Sequence, residues 1–552
     1  MTIIGIGNST NSHVTILQDG KITYAAQEER FTRKKQIKTF PTKAISDGLR
    51  YCSLTYTDID YVVCGGWQSP DQDTLEDYFQ TVKKGYSDKI AAEKMFWSMK
   101  KDFEYRDDFY QNALRMFPQS QIKIYEHHYC HACTAFYTSK FNNSYILTSD
   151  GRGDSQSIVI WKADRENGIQ KIKSFSELKS VGSLYGQITG VLGFTPDKHE
   201  GKITGLAAFG KYSIFVDFLT ELIHYEDGNI SISKDYIPFL GHKYNHIKEF
   251  VDHNNISKED IAFAVQFLLE DIIIKLINNY VPQGANLSLA GGTFANVKLN
   301  QRIREKCELS NYYIFPEMGD GGIGFGAAIA KAVDQGTNYF DWNETMLLGP
   351  IYSFSKINLD NYEVYSFKNV EECSIKAVEL ILQGKIAGIF TGRMEYGPRA
   401  LGSRSIMFET KNKIVNETIN KRLNRTEFMP FAPVTLLSEA SKMYLDYQDD
   451  FNTSFMTTCY NCTETMQKIS PAVVHVDNTA RPQIISKNNS NKLYYTILKE
   501  YFNKTGIPNL VNTSFNNHEE PIVCNPENAL ESLEKNNIDC IVTDMMIIMK
   551  KK

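Results

Sequence analysis

The sequence predicts an α/β protein with two domains. Short apolar runs of β-forming residues alternate with segments of helical periodicity, which is the pattern of α/β folds. The chain has 552 residues, well beyond the roughly 250–300 at which a single hydrophobic core stops growing. With 42% hydrophobic and 23% charged residues, its composition is that of an ordinary globular protein. We therefore expect at least two domains, each with its own core.

Charge and cysteine content narrow the class further. The formal net charge of −5 argues against general electrostatic attraction to a nucleic acid, although a local basic patch is compatible with it. Residues 1–7 lack the basic and apolar regions of a secretory signal, and no apolar run reaches the ~18 residues of a membrane span. The ten cysteines are scattered along the chain among segments that look like strands and helices, which is typical of reduced thiols. We expect a cytoplasmic protein without a membrane segment.

The chain opens with a strand and a hairpin. Residues 2–7 form a short apolar run that ends in glycines, and β-rich runs at 14–17 and 21–26 flank an Asp-Gly pair at 19–20. Asp-Gly between two such runs is a strong hairpin signal. A strand, a small-residue turn and a hairpin are how actin-like and sugar-kinase-like folds begin, with the first turn facing nucleotide phosphates. The charged cluster that follows at 28–33 is explained equally well by a solvated strand end.

A histidine cluster follows the next strands. The short strand 122–125 leads into Glu126–Ala132, which holds three imidazoles. His127 and His131 are four residues apart, so in a helix they lie on one face and can reach one divalent cation. His128 shares a helical spacing with His131 and is left as an acceptor-side or acid/base residue. A hydrogen-bonded histidine pair without a metal explains the spacing as well.

A carboxylate stands at the end of the strand that comes next. Asp150 follows the strand 145–148 directly. In open α/β sheets ligands bind beyond the carboxyl ends of the strands, so this position suits a third ligand. The preceding segment, 70–118, is polar, aromatic and helical in pattern, and the sequence assigns it no role.

Further along the chain, glycine-rich segments predict loops that bind a ligand. Residues 287–292 form a strand that enters the pair Gly291-Gly292, followed by a helix start near Asn296. Strand, glycines and helix start bring amide N–H groups to an anion or a nucleotide. Asp320 is flanked by glycines and has little to do for packing, so we interpret it as a ligand or phosphate-side residue.

The order of these motifs resembles that of the NodU/CmcH/TobZ-type O-carbamoyltransferases. The C-terminal third carries the more specific likeness, because Gly392–Ile406 looks like that family's signature almost letter for letter. Four shorter segments complete the resemblance, which spans essentially the whole chain: Pro430–Pro433, His475–Gln483, Asn512–Asn516 and Glu520–Val523.

The resemblance implies a two-domain enzyme. Residues 1–345 would form an ASKHA-type (actin/sugar-kinase-like) domain with a helical insertion near 213–280, and residues 368–552 a YrdC-like α/β domain. In such enzymes ATP and carbamoyl phosphate give a carbamoyl-adenylate in the second domain. The carbamoyl group then passes to an acceptor hydroxyl at a metal, usually Fe2+, in the first. The acceptor would be a sugar, nucleoside or other small metabolite, and a homodimer is left open.

Carried onto this sequence residue by residue, the resemblance assigns two sites. His127, His131, Asp150 and Asp320 would bind the metal, and the first three would be catalytic with Arg399. The residues facing the nucleotide in the first domain would be Gly291, Gly292 and Asn296. In the second domain, phosphates call for guanidinium groups with a planar fork. The residues we expect to hold phosphate or carbamoyl oxygens there are Arg399, Arg404, Arg425, Arg481, Asn512 and Ser514.

Two departures from the family pattern keep other functions open. Leu423 and Met429 stand where many relatives have a lysine and an arginine near the phosphates, although Lys421 and Arg422 lie close by. This favours, as alternatives, a different donor or a nucleotide- and metal-binding protein without transfer activity. Carbamoylation of a hydroxylated nucleobase or tRNA is a further alternative, which the acidic net charge disfavours.

Overall fold

The computed structural model describes residues 1–83, 88–233, 246–423 and 429–551. Helices and strands alternate along the chain, which confirms the predicted α/β class. The chain forms two compact units. The first comprises Met1–Thr23, Lys38–Pro41 and Ser53–Trp342, and the second comprises Tyr24–Ile37, Thr42–Cys52 and Asn343–Lys552. Composition predicts a connection from residue 331 to about residue 367; residues 331–342 of this stretch belong to the first unit and residues 343–367 to the second. Within the described residues no helix is long and apolar enough to cross a membrane.

The strands up to residue 314 are β1 (Thr2–Gly7), β2 (His13–Gln18), β3 (Lys21–Gln27), β4 (Tyr61–Gly65), β5 (Gln121–Tyr125), β6 (Asn143–Gly153), β7 (Gln156–Asp164), β8 (Gly168–Ser176), β9 (Ile223–Glu226), β10 (Asn229–Ile232), β11 (Asn286–Ala290) and β12 (Asn311–Ile314). The hairpin predicted around residues 19–20 is present as β2 and β3. The helices of the first unit are α3 (Gln72–Lys83), α4 (Asp88–Met116), α5 (His127–Tyr137), α6 (Val181–Val191), α7 (Glu200–Leu206), α8 (Ile214–Leu222), α9 (His246–Asn254), α10 (Lys258–Tyr280), α11 (Val297–Lys306) and α12 (Ile323–Asp334).

One sheet topology occurs twice in this part of the chain. The two five-stranded sheets have the orders β3-β2-β1-β4-β5 and β8-β7-β6-β11-β12. In each, the central strand pairs antiparallel with the hairpin on one side and parallel with the strand on the other, β4 or β11. The duplication agrees with the actin/sugar-kinase-like fold expected from the resemblance. It places β1 and β6 at equivalent positions, and likewise β5 and β12.

The helices that follow the last strand of each sheet pack closely together. A Cβ atom on Gly326 of α12 would lie 2.1 Å from the carbonyl oxygen of Cys130 on α5, so the two backbones approach at a position where only glycine fits. Both helices are almost fully buried. Their first turns therefore meet near the carboxyl ends of β5 and β12.

The segment 213–280 combines helices with a hairpin. It contains α8, the two-stranded sheet of β9 and β10, α9 and α10, with residues 234–245 outside the described part. The apolar face of α10, from Ile261 to Ile277, lies in the main hydrophobic core of the first unit, next to β6 and β11 residues such as Leu147 and Leu289. This helix therefore belongs to the hydrophobic core, as the apolar pattern of residues 261–277 predicts.

The second unit is built on an eight-stranded sheet of order β13-β22-β21-β14-β15-β20-β16-β19. The strands of this sheet are β13 (Tyr362–Ser366), β14 (Ala387–Phe390), β15 (Arg404–Phe408), β16 (Ala432–Leu436), β19 (Gln483–Ile485), β20 (Asn509–Ser514), β21 (Cys540–Val542) and β22 (Met546–Lys550). The short strands β17 (Tyr460–Asn461) and β18 (Thr479–Ala480) form a separate two-stranded sheet. The helices of the second unit are α1 (Glu28–Thr32), α2 (Thr42–Tyr51), α13 (Val370–Leu382), α14 (Ile414–Arg422), α15 (Ala440–Met443), α16 (Glu464–Ile469), α17 (Lys492–Thr505) and α18 (Pro526–Glu534).

Both faces of this sheet are covered. Alternate residues of β15 enter different apolar clusters, Ile406 and Phe408 on one side and Met407 on the other. Side chains along a strand point to opposite faces, so the sheet has a separate core on each face.

The charged cluster at 28–33 is not a solvated strand end, which corrects that interpretation. Glu28, Glu29 and Arg30 are 2%, 8% and 2% exposed, respectively. The Glu28 carboxylate accepts hydrogen bonds from the backbone N–H groups of Lys43 and Ala44 at 3.3 and 2.7 Å. It therefore fixes the first turn of α2, as carboxylates at helix N-termini do.

Candidate functional site

Four polar side chains of the first unit converge on one point. His127, His131, Asp150 and Asp320 each offer one ligand atom, and these atoms all lie within 4.8 Å of one another. Nε2 of His127 is 3.7 Å from oxygens of both Asp150 and Asp320. Nε2 of His131 is 3.2 Å from Asp150 Oδ2 and 3.9 Å from Asp320 Oδ1. The four residues grouped from the sequence thus meet, although up to 193 positions separate them along the chain.

The duplicated topology explains this convergence. The two histidines lie in the first turns of α5, after β5, and Asp320 begins the 3₁₀ turn before α12, after β12. Asp150 lies where β6 becomes irregular, between Ser149 and Gly153, and such bulges redirect side chains. The histidines and Asp320 thus follow the carboxyl ends of β5 and β12, and Asp150 lies in the irregular C-terminal part of β6, which is where ligands of α/β folds bind.

The start of α5 is fixed by carboxylates. Glu126 is its N-cap, and its side chain accepts hydrogen bonds from the backbone N–H groups of His128 and Tyr129. Asp154 accepts from the N–H groups of His127 and Gln68 at 2.8 and 2.9 Å. Glu126 therefore fixes the first turn of α5, and Asp154 links the backbone of His127 to that of Gln68.

The carboxylates and imidazoles perturb one another strongly. Burial opposes the charged form of His127, but Asp150 and Asp320 raise its pKa to about 9. Burial and the neighbouring Asp150 raise the pKa of Asp320 to about 7. Against burial, the neighbouring imidazoles of His127 and His131 hold the pKa of Asp150 well below its usual range. Burial and the two neighbouring histidines lower the pKa of His128, so that ring is neutral and bonds to Thr148 Oγ1 at 3.0 Å.

The donor set fits a divalent cation. Nε2 of His127 is buried and has no hydrogen-bond partner among the described residues, which is costly unless another group binds it. Two imidazoles and two carboxylates with gaps of 3.2 to 3.9 Å between them leave room for an ion at ordinary ligand distances of about 2.0–2.2 Å. Such a mixed set is compatible with Fe2+, Mn2+ and Zn2+.

The glycine pair expected at the nucleotide lies beside this cluster. Gly291 has φ +104°, and a Cβ atom there would lie 2.1 Å from Ser149 O. A Cβ atom on Gly292 would lie 3.0 Å from Asp150 Oδ1. Asn296 is the N-cap of α11, where its Oδ1 accepts from Leu299 N at 3.0 Å. Its amide also donates to Gln266 Oε1 at 2.7 Å, so structural contacts account for much of its hydrogen bonding.

In the second unit, one buried carboxylate organises the signature loop. Glu395 is 1% exposed, and its Oε1 accepts from the backbone N–H groups of Leu401, Ser403 and Arg404 at 2.9, 2.7 and 2.9 Å. A carboxylate that accepts several N–H groups fixes the backbone firmly. The loop between these bonds carries Arg399, which is half-buried.

The other residues expected at phosphates have different environments. Arg404 is fully buried: Nη1 donates to the carbonyl oxygens of Thr391 and Ser403 at 2.8 and 2.9 Å, and the guanidinium lies 3.6 Å from the Phe390 ring centroid. Burial lowers the pKa of Arg404 to about 10. Arg481 is half-buried, and burial lowers its pKa as well. Arg425 lies outside the described residues.

Asn512 and Ser514 lie on β20, which pairs with β15. The Asn512 amide donates to Ala400 O at 3.0 Å and to Gln483 Oε1 at 2.7 Å. It thus contacts the same signature loop that Glu395 holds. Ser514 is opposite Ser405 and half-buried.

The two positions that depart from the family pattern also differ from each other. Leu423 is 1% exposed and belongs to a core cluster, whereas Met429 is half-buried. Arg422 is already paired with Asp539, Nη1 to Oδ2 at 2.7 Å. Lys421 is exposed.

Two features of the first site were missed by sequence reasoning. Glu126 caps α5, although glutamate is not among the residues that predict an N-cap from sequence. Asp154 and the ion pairs of Arg152 with Asp102 and Glu177 had no local signal, because their partners are distant in sequence.

Comparison with known proteins places both parts of the chain in one group. Residues 2–329 match the family model described as carbamoyltransferase N-terminus, and residues 378–550 match the one described as carbamoyltransferase C-terminus. The second match contains the Gly392–Ile406 signature.

Similar proteins match over nearly the whole length. Uncharacterized protein MJ1051 of Methanocaldococcus jannaschii is 33% identical over 100% of both chains. Nodulation protein NolNO of Sinorhizobium fredii is 28% identical over 97% of this chain and 78% of its own. Nodulation protein U of the same organism is 25% identical over 94% of each. Among solved structures, full-length HypF in its phosphate- and nucleotide-bound form aligns with a TM-score of 0.35 and 15% identity, covering 61% of this chain and 47% of that chain.

Proposed function

The chain belongs to the carbamoyltransferase family, and we propose that it is an ATP-dependent O-carbamoyltransferase that acts on a hydroxyl group of a small molecule. Both family models are carbamoyltransferase models, so the protein is an enzyme of this kind. The finer proposal depends above all on one observation, the convergence of His127, His131, Asp150 and Asp320 within 4.8 Å in the first unit.

The donor reaction belongs, in this proposal, to the second unit. Carbamoyl phosphate and water give carbamate and inorganic phosphate; a carbamate oxygen then forms a bond to the α-phosphorus of ATP, and pyrophosphate leaves. Arg399 and Arg481 are half-buried cations that would bind the phosphates. Asn512 holds the loop that carries Arg399, and Ser514 on the same strand would bond to a carbamoyl or phosphate oxygen.

Transfer takes place at the first site. The acceptor oxygen forms a bond to the carbamoyl carbon, and AMP leaves with the bonding electron pair. His127, His131, Asp150 and Asp320 would hold a divalent cation, which when bound polarises the carbonyl oxygen and lowers the pKa of the acceptor hydroxyl. Gly291 and Gly292 expose backbone near Asp150, where the adenylate phosphate would bind.

Fe2+ is the metal we propose for this site. The ligand set also suits Mn2+ and Zn2+, so the identity depends on measurement. Purification without chelators followed by elemental analysis should find close to one equivalent of iron per chain. A site filled by zinc or manganese instead, with full activity, would correct the metal and leave the ligands in place.

Leu423 favours a second candidate. This leucine is buried in the core and stands where many relatives have a lysine near the phosphates. The missing lysine supports a different donor or a binding protein without transfer activity. Carbamoylation of a nucleobase or tRNA has no feature of the described residues in its favour beyond the shared chemistry.

Pyrophosphate release distinguishes these functions. We expect release from ATP that depends on carbamoyl phosphate. With extracts of small metabolites, nucleosides or tRNA as acceptors, mass spectrometry should then find a product heavier by one carbamoyl group. Absence of pyrophosphate with any carbamoyl donor would contradict the donor reaction. Pyrophosphate without a carbamoylated small molecule would contradict the proposed acceptor class.

A further inference from the structure

A cavity in the second unit lies beside the charged cluster at 28–33. Its volume is about 450 Å³. The described residues that line it include Arg30, Arg33, Lys43, Asp47, Arg50 and Asn525, and none of those expected at phosphate or carbamoyl oxygens in the donor reaction. The cavity is therefore separate from the side chains to which the donor reaction is assigned.

Positive charge dominates the lining. Four cationic side chains face one carboxylate, that of Asp47. Asp47 is already engaged, because it accepts from Tyr24 OH at 2.8 Å and is paired with Arg50. Three cations, those of Arg30, Arg33 and Lys43, remain to attract an anion from solvent.

Arg30 supplies hydrogen-bond donors without partners. Its side chain is 2% exposed. Nη2 donates to Gly397 O at 2.8 Å and to Gln27 Oε1 at 3.2 Å. Nε and Nη1 are buried without a hydrogen-bond partner among the described residues, and the nearest carboxylate oxygen, on Glu29, is 3.9 Å from Nε. Buried N–H groups without hydrogen-bond acceptors are costly, so a ligand that accepts from Nε and Nη1 of Arg30 would be stabilised.

The neighbouring groups supply charge and shape. Both Nη atoms of Arg33 donate to backbone, to Ile522 O at 2.6 Å and Pro521 O at 2.7 Å, so this residue contributes a fixed positive charge. Burial and the charge of Arg30 lower the pKa of Arg33, and the charges of Glu520 and Glu29 oppose this shift. Asn525 caps α18, whose positive N-terminal end adds to the same field.

We propose that this cavity is a binding site for a phosphate-bearing anion, held by Arg30 with the charges of Arg33 and Lys43. Three cations near one another, with the Glu29 carboxylate 3.9 Å from Arg30 Nε, suit a phosphate or pyrophosphate group, with two or more negative charges, better than a monocarboxylate. The volume admits more than a single phosphate group. The source is either a free inorganic anion or the phosphate group of a larger metabolite, and the two share the same chemistry.

Lysine footprinting of the full chain tests the site locally. Acetylation of the exposed Lys43 is followed by mass spectrometry with inorganic phosphate, pyrophosphate, AMP or acetate present, and the exposed Lys413 serves as the internal control. We expect pyrophosphate to protect Lys43, acetate to give no protection, and Lys413 to react equally throughout. Stronger protection by AMP than by inorganic phosphate would indicate a metabolite; the reverse order would indicate the free anion. If none of the phosphate compounds reduces the acetylation of Lys43, the proposal is overturned.

Three variants make the test specific. Arg30→Met should weaken pyrophosphate protection by about tenfold or more, as expected for a lost charged hydrogen bond. Asp47→Asn should strengthen protection and Arg50→Gln should weaken it, and these two changes decide the matter where Arg30→Met fails to fold. Undiminished protection in a folded Arg30→Met protein, or no opposite shift between Asp47→Asn and Arg50→Gln, would also overturn the site. Because Lys43 reports only this cavity, the result is independent of carbamoyl transfer.

Discussion

Nε2 of His131 lies 3.2 Å from Oδ2 of Asp150, and this contact joins the helix that follows β5 to the end of β6. The two elements belong to different copies of the repeated sheet topology. The site is therefore assembled by the duplication itself, with each half contributing side chains to the cluster.

The histidines should be required for metal and for transfer but not for the donor reaction. We expect His127→Ala and His131→Ala to lose the bound metal and to lower the rate of transfer by at least about 100-fold. Even the loss of a residue that only hydrogen-bonds to a metal ligand lowers metal affinity or activity by about 10–100-fold. Pyrophosphate release in the second unit should stay at the wild-type rate. Elemental analysis and the two assays measure this, with His224→Ala, on the exposed hairpin of β9 and β10, as control. Full transfer by both variants would show that the site assignment is wrong.

Gly153 should be irreplaceable for the position of the His127 ring. A Cβ atom at this position would lie 2.1 Å from His127 Cδ2, so Gly153→Ala must displace the imidazole. We expect metal affinity to fall by about 10–100-fold, the range for changes that misplace a ligand, while the protein stays folded. Competition with a chelator measures the affinity.

Gly190→Ala is the matched control for this change. Gly190 lies in α6, is exposed, and its added Cβ would make only an ordinary contact, 3.5 Å to Pro196. Equal metal affinity in the two alanine variants would contradict the steric argument.

The sequence predicted which side chains converge at the first site better than it predicted the assembly around them. His127 and His131 share a helix face because of local periodicity, and Asp150 follows a strand that reads clearly as β. The boundaries of the compact units depend instead on contacts between distant segments. Tyr24–Ile37 and Thr42–Cys52 belong to the second unit, yet nothing in their own sequence shows that their partners lie beyond residue 342.

Burial of charge was the other feature that local pattern could not show. Glu28-Glu29-Arg30 reads as a solvated strand end because charged residues are mostly exposed. It is buried because Glu28 caps α2 and Arg30 bonds to Gly397, a residue 367 positions away. The same holds for segment 70–118, whose ion pairs of Asp77 with Lys179 and of Asp102 with Arg152 join residues that are distant in sequence.

Arg152 should be important for stability because it compensates a buried carboxylate. Its Nε is 2.9 Å from Glu177, which is fully buried, and its Nη2 is 2.8 Å from Asp102 on α4. Removing one partner of a buried ion pair costs about 3–5 kcal/mol, so Arg152→Met should lower the free energy of unfolding by that amount. Urea unfolding measures the change.

A double variant separates the ion pair from simple packing. In Arg152→Met/Glu177→Gln the uncompensated charge of Glu177 is gone and only that of Asp102 remains, so we expect part of the lost stability to return. Lys248→Met removes an exposed pair with Asp252 on α9 and should change the stability by no more than about 0.5 kcal/mol. A double variant that is less stable than Arg152→Met alone would contradict the role given to Glu177.

Leu423→Lys should destabilise the second unit rather than restore a phosphate ligand. Leu423 is 1% exposed and lies among apolar neighbours, so a lysine there would bury an ammonium group without a partner. We expect a loss of several kcal/mol, on the order of 3, while the volume-conserving Leu423→Met should cost less than about 1.5 kcal/mol. Met429→Arg, at a half-buried position, should be tolerated. Urea unfolding and the KM for carbamoyl phosphate measure both effects. A stable Leu423→Lys protein with a lower KM would show that this position faces the donor rather than the core.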